Sequence, residues 1–266
     1  MAIIPITHQA FVNKKFNRYS SYEFASKDAI ATLVLRELPR AAIVTPIAFA
    51  KVADGFVPVA VQGLSEGKNL FVAPDGRWVG RYIPSVYRGY PFLFAKIEGD
   101  KQVLCFDDAS GLLSDSDGEA FFEGETLTKS VRDILDFLTQ VQESRLATQR
   151  ICAVLDQHQL IQPWPIELKH ENQDGQSESR KLEGLFRIDE AALNKLDAQA
   201  LHTVQQAGAL STVFCQLLSM QHLPAIAELA KVHFEAELQA ALPKTDAGEI
   251  DMSFLADDTT ISFENL

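Results

Sequence analysis

The stretch WVGRYIPSVYRGYPFLFAKIEGDKQVLCF, residues 78–106, decides how the chain is read. It gathers Trp78, Tyr82, Tyr87, Tyr90, Phe92 and Phe94 into one short run and sets Arg81 and Arg88 among them. Pro84 and Pro91 restrict the backbone on either side of Arg88-Gly89. Residues 90–97 alternate loosely and run to Gly99-Asp100, a turn signal, and residues 103–106 follow as a short apolar run. The pattern predicts an aromatic crossover, a strand, a Gly-Asp hairpin and a second strand.

Upstream, the first twenty residues read as a docked arm or a short edge strand. Ile30, Leu33 and Val34 fall at helix spacing, which predicts a helix over 27–36 that Pro39 ends. Residues 41–50 read as a buried strand interrupted at Pro46, and residues 56–61 as its hairpin partner across Asp54-Gly55. A third strand is expected at 70–72. Strands this closely spaced, with turn residues between them, argue for an antiparallel meander.

Downstream, residues 107–118 form a polar loop and residues 126–158 a long helix. Val131, Ile134, Leu135, Leu138 and Val141 share one face of it. Ile151, Val154 and Leu155 leave that face, so the helix either breaks near Gln149 or is buried on two sides at its end. Residues 166–170 and 181–188 read as two strands joined by a polar, flexible loop. Asp189 and Asp197 stand where helix N-caps would, and Gly208 where a helix would stop. Leu210, Val213, Phe214, Leu217 and Leu218 make an i, i+3, i+4, i+7, i+8 stripe, with Ile226, Leu229, Ala230 and Phe234 inward on a last helix.

These elements predict an α+β fold: a mostly antiparallel sheet packed on a long helix, with a C-terminal hairpin-plus-helices part. The expected organisation is a sheet-rich part with the long helix at 1–160, a hairpin and helical part at 161–242, and an acidic tail at 243–266. That tail holds six acidic residues and one Lys yet keeps Ile250, Met252, Phe254, Leu255, Ile261 and Phe263. It is expected to dock on its own domain or on a partner, since a purely solvating tail would lack those residues.

The net charge is −12, with 13 Lys/Arg against 15 Asp/Glu up to residue 125 and 11 against 21 beyond it. A negative surface repels phosphate backbones, so no nucleic acid is expected as a partner. Cys105, Cys152 and Cys215 sit in apolar runs without CxxC spacing and read as buried free thiols in a reducing compartment. The start, MAIIPITHQAFVNKK, has no basic region before its apolar residues. The longest apolar run, 41–50, is about half of what a membrane-spanning helix needs. The expectation is a soluble, cytoplasmic protein without membrane insertion.

Several stretches resemble the SapC-like family of bacterial proteins. They are YEFA at 22–25, ELPRAAIVTPIAF at 37–49, NLFVAPDGRW at 69–78, YIPSVYRGYPFLF at 82–94, LFRIDEAALNKL at 185–196 and GALSTVFCQLLSMQHL at 208–223. The chain departs from the pattern at Gly89, where the family often has a second basic residue. The resemblance implies an association with surface-layer proteins, whose neighbouring genes supply the family name. It also implies gene neighbourhoods with outer-membrane receptors, halogenase-like flavoproteins and cupin-like hydroxylases. It brings no activity, no catalytic residue and no cofactor.

Four local patterns carry candidate chemistry. Residues 63–67 match GxSxG, but a nucleophile elbow needs a helix after it, and 68–72 reads as a strand, so a Gly-rich turn is the better account. Asp115-Ser116-Asp117-Gly118 resembles a calcium loop, but alignment on Gly118 puts Leu113 and Gly124 where carboxylates belong. His233 and Glu237 are i, i+4 neighbours; two ligands make no metal site, and a half-buried core histidine fits better. Arg81, Tyr82, Tyr87, Arg88 and Tyr90 have the composition of an interaction hot spot and suit a protein partner or a small anionic or glycan ligand. The same residues also suit a packed junction of tyrosines and paired arginines.

The favoured function is a non-catalytic accessory or binding protein that uses this Arg/Tyr patch. The alternative is an enzyme, or a partner of an oxygenase, with a site at the junction of the two parts.

Overall fold

The computed structural model describes residues 3–53, 55–96, 102–171 and 177–241. The fold is α+β. Its central sheet has five strands, β1 (Ile30–Thr32), β2 (Ile47–Val52), β3 (Gly55–Val61), β4 (Ile161–Pro163) and β5 (Leu185–Ile188). Their order is β4-β5-β2-β3-β1, antiparallel at every step. The sheet therefore draws strands from both sides of residue 160. A second sheet places the strand Gln102–Asp107 between Ile3–Pro5 and Phe92–Lys96.

The long helix α1 (Lys129–Gln157) runs unbroken and serves two cores. Its first turns set Val131, Ile134 and Leu138 against Phe11, Phe16, Phe92, Phe106 and Phe121. Its last turns bury Ile151, Cys152 and Leu155 against Phe49 and Ile188 of the central sheet. The change of face seen in the sequence is this change of core. Between the two, Ser144 and Thr148 are buried, and their hydroxyls accept the backbone N–H groups of Arg36 (3.2 Å) and Leu35 (2.8 Å).

The described residues end with three helices: α2 (Ala198–Gln206), α3 (Ala209–Ser219) and α4 (Leu223–Ala241). Asp197 caps α2, accepting from Ala200 N–H at 2.7 Å, and Asp189 caps the turn before it, accepting from Ala192 N–H at 2.9 Å. Gly208 at φ 72° separates α2 from α3, a left-handed position that favours glycine.

Several expectations are corrected. Residues 27–36 hold no α-helix; they carry β1 and the start of a single 3-10 turn at Leu35–Glu37. Ala31 and Leu33 are buried while Ile30 is exposed, a two-residue alternation that pairs β1 with β3. Pro39 stands in the first turn of a short helix, Leu38–Ala41, rather than ending one, and the strand begins only at Ile47. Residues 70–72 contribute a single bridge, Val72 to Trp78, because Asn69 Oδ1 accepts from Phe71 N–H at 2.9 Å and turns the chain there. Residues 181–188 divide at Gly184, φ 81°, so the hairpin partner of Ile166–Glu171 is Ser177–Leu182 and β5 joins the central sheet. The Gly99-Asp100 turn and the acidic tail lie outside the described residues.

The stripe on α3 is also displaced. Phe214 and Leu218 are 52% and 65% exposed, while the buried face is Ala209, Thr212, Val213, Gln216 and Ser219. This polar face is used. β5 and β2 pair only through Leu185–Ala50 and Phe186–Phe49. Further along, Gln216 fills the gap, its Oε1 accepting from Ile188 N–H at 2.9 Å and its Nε2 donating to Ile47 C=O at 3.1 Å. Ser219 Oγ accepts the Ile47 N–H at 2.9 Å. On α4, His233 rather than Phe234 turns inward, its Nε2 donating to the Leu70 carbonyl at 2.8 Å.

Candidate functional site

An open cleft of about 390 Å³ lies between α1 and the 34–40 and 82–88 segments. Its foundation is Glu37. Thr148 and Ser144 hold the preceding backbone, Leu35–Glu37 forms a single tight helical turn, and the Glu37 side chain folds back to accept Val34 N–H at 3.1 Å. The carboxylate is only 4% exposed. Oε1 accepts from the Tyr82 hydroxyl and Ser85 N–H, both 2.6 Å, and Oε2 accepts from Ser85 Oγ at 2.6 Å as well as from Val34. Four donors saturate a buried charge, the condition under which burial is tolerated. Glu37 therefore fixes the 82–88 crossover to the 34–37 turn.

Arg88 leans over this anchor. Its guanidinium lies 3.5 Å from Glu37 Oε1 and 3.4 Å from the Tyr82 hydroxyl oxygen, and it stacks 5.0 Å from the centre of the Phe137 ring. Burial first, then the hydrogen bond to Glu37, pushes the Tyr82 phenol well above its ordinary value. Arg36 and Arg40 line the same cleft. Neither makes an ion pair among the described residues.

Of the five residues singled out in the sequence, the cleft brings together Tyr82 and Arg88. Arg81 is exposed beside Trp78 and Thr45, in a neighbouring depression. Tyr87 is 3% exposed in the core, where its hydroxyl donates to Gln62 Oε1 at 2.7 Å; burial first, then the nearby Asp28 carboxyl, raises its pKa. Tyr90 stacks on Phe24, ring centres 3.9 Å apart, within a separate aromatic group that includes Tyr19. Gly89 is buried under α1, and a Cβ there would meet Leu138 Cδ2 at 2.7 Å, so a larger side chain at that position requires the leucine to shift. Arg36, Arg40 and Phe137 were missed because they lie more than forty residues from Tyr82 and Arg88 in sequence. The one available signal was Glu37, a lone carboxylate inside an apolar run.

The other patterns resolve as structure. Ser65 lies in a turn closed by Leu70 N–H to Gln62 C=O at 2.8 Å, with no helix after it. Asp115 pairs with Lys14 at 2.5 Å. Among the described residues no group of three His, Cys, Asp or Glu side chains is placed to hold a metal ion, and no helix is long and apolar enough to cross a membrane.

A family model described as SapC matches residues 6–226. The chain belongs to the SapC family. No curated protein and no solved structure matches it. The SapC match takes in every residue of the cleft and stops in the first turn of α4, leaving the acidic tail outside.

Proposed function

We propose that this SapC-family chain is a non-catalytic accessory protein whose cleft engages a carboxylate-bearing segment of a protein partner. The observation that carries the reading is the pair Arg36 and Arg40. On a chain of net charge −12, two guanidinium groups line an open cleft whose own carboxylate is already saturated. Arginine in that setting recognises carboxylates by paired hydrogen bonds. Phe137, Tyr82 and Val141 add apolar wall beside it. A cytoplasmic location belongs to this proposal, as does a link to surface-layer or outer-membrane uptake systems, which rests on family membership alone.

The test is crosslinked capture from native extract with wild type and with Arg36→Gln/Arg40→Gln. Both arginines are exposed, so the stability is expected to stay within about 0.5 kcal/mol of wild type. A partner retained by wild type and lost by the variant is the expected result. Equal capture by both chains would sink the reading.

A further inference from the structure

We infer that the cleft is occupied at rest by the chain's own acidic tail, through residues 251–258, DMSFLADD, so that an outside partner must displace it. This rests on the cleft being a carboxylate site, as proposed above. The segment has Met252, Phe254 and Leu255 in its middle, Asp251 before them and Asp257 and Asp258 after them. The cleft has the complementary layout, with Phe137, Tyr82 and Val141 as apolar wall and Arg36, Arg40 and Arg88 as its cations. On the cleft side Glu37 is spent on Tyr82, Ser85 and Val34 and is approached by Arg88, so the incoming aspartates meet the guanidinium groups of Arg36 and Arg40, which make no ion pair among the described residues.

Ten residues separate Ala241, the end of α4, from Met252, a tether that spans up to roughly 33 Å at ~3.3 Å per residue. Tethering makes the tail a strong competitor, because a linker of this kind gives an effective concentration on the order of millimolar.

Two measurements on the full-length chain test the inference. The first replaces Phe254 with photoreactive benzoylphenylalanine and maps the adducts. Intramolecular adducts to residues 34–40, 82–88 or 137–144, lost with Arg36→Gln/Arg40→Gln, are expected. Adducts on the exposed Phe214–Leu218 face of α3, adducts to a second copy, or none would overturn the inference. The second titrates a labelled peptide of residues 249–259 into wild type and into Asp251→Asn/Asp257→Asn/Asp258→Asn. Binding about tenfold or more tighter to the triple variant is expected, because its cis competitor is weakened. Equal binding that still needs Arg36 and Arg40 would remove the tail from the cleft and leave the carboxylate site standing. No peptide binding to either chain would remove both.

Discussion

Glu37 concentrates most of what holds the cleft in shape. Glu37→Gln keeps the size of the side chain but removes its charge, and its amide NH₂ faces groups that are themselves donors. Loss of charge-assisted hydrogen bonds from a buried site costs about 3 kcal/mol. For a chain of this size that lowers the melting temperature by roughly 6–12 °C. Ser85→Ala, which removes one of the four donors, is expected to cost about 1–2 kcal/mol. Calorimetry on both variants checks the ranking, and an unchanged Glu37→Gln chain would show that the carboxylate is dispensable. Site legibility followed sequence distance. Tyr82 and Arg88 were visible because they share one aromatic run. Arg36, Arg40 and Phe137 meet them only through the packing of α1, and no local spacing encodes that.

At the scale of elements, α3 was misread for a definable reason. Its aliphatic stripe follows helix periodicity, but the sheet gap beside it needs hydrogen-bonding groups more than methyl groups. Gln216 and Ser219 therefore face inward, and Phe214 and Leu218 face out. Gln216→Leu would leave the Ile188 N–H and the Ile47 carbonyl buried without partners, at about 1–3 kcal/mol for each group. The expected readout is a lower urea midpoint with an unchanged slope. Phe214→Ser is expected to leave the midpoint nearly alone; the opposite ranking would restore the apolar stripe as the packed face. The 27–36 misreading shares this cause, because Ile30–Thr32 pairs with β3 and tertiary pairing overrides local propensity. Features fixed locally were legible, among them the caps at Asp189 and Asp197 and the pairing of β2 with β3, while the continuity of α1 past Gln149 was not.

For the whole molecule, the tyrosines set an alkaline limit. Burial is the first cause that raises Tyr19 to about 12, and it raises Tyr82, Tyr87 and Tyr90 as well, from an ordinary 10.0. In each case the fold favours the protonated phenol. Below pH 10.0 folded and unfolded chains both keep that proton, and the contribution is complete. Above it the unfolded chain releases protons that the folded chain retains, so stability falls as pH rises through the folded values. Melting temperatures are expected to drop steeply between pH 10 and 12. Tyrosinate absorbance for these four should appear together with unfolding. Smooth ionisation of all five tyrosines in a still-folded chain would contradict the burial described here.

The same sheet sets a timetable for synthesis. β2 takes its neighbour from Leu185–Ile188, so Phe49 waits for Phe186. At ribosomal speeds of about 5–20 residues per second, the interval is on the order of ten seconds or more. Throughout it the nascent chain presents one open strand edge, the kind of surface that attracts unintended pairing. A ribosome pause before residue 185 would prolong that exposure, and a fast run through residues 161–188 would shorten it. The order of strands in space thus makes the tempo of translation part of what this chain needs in order to fold.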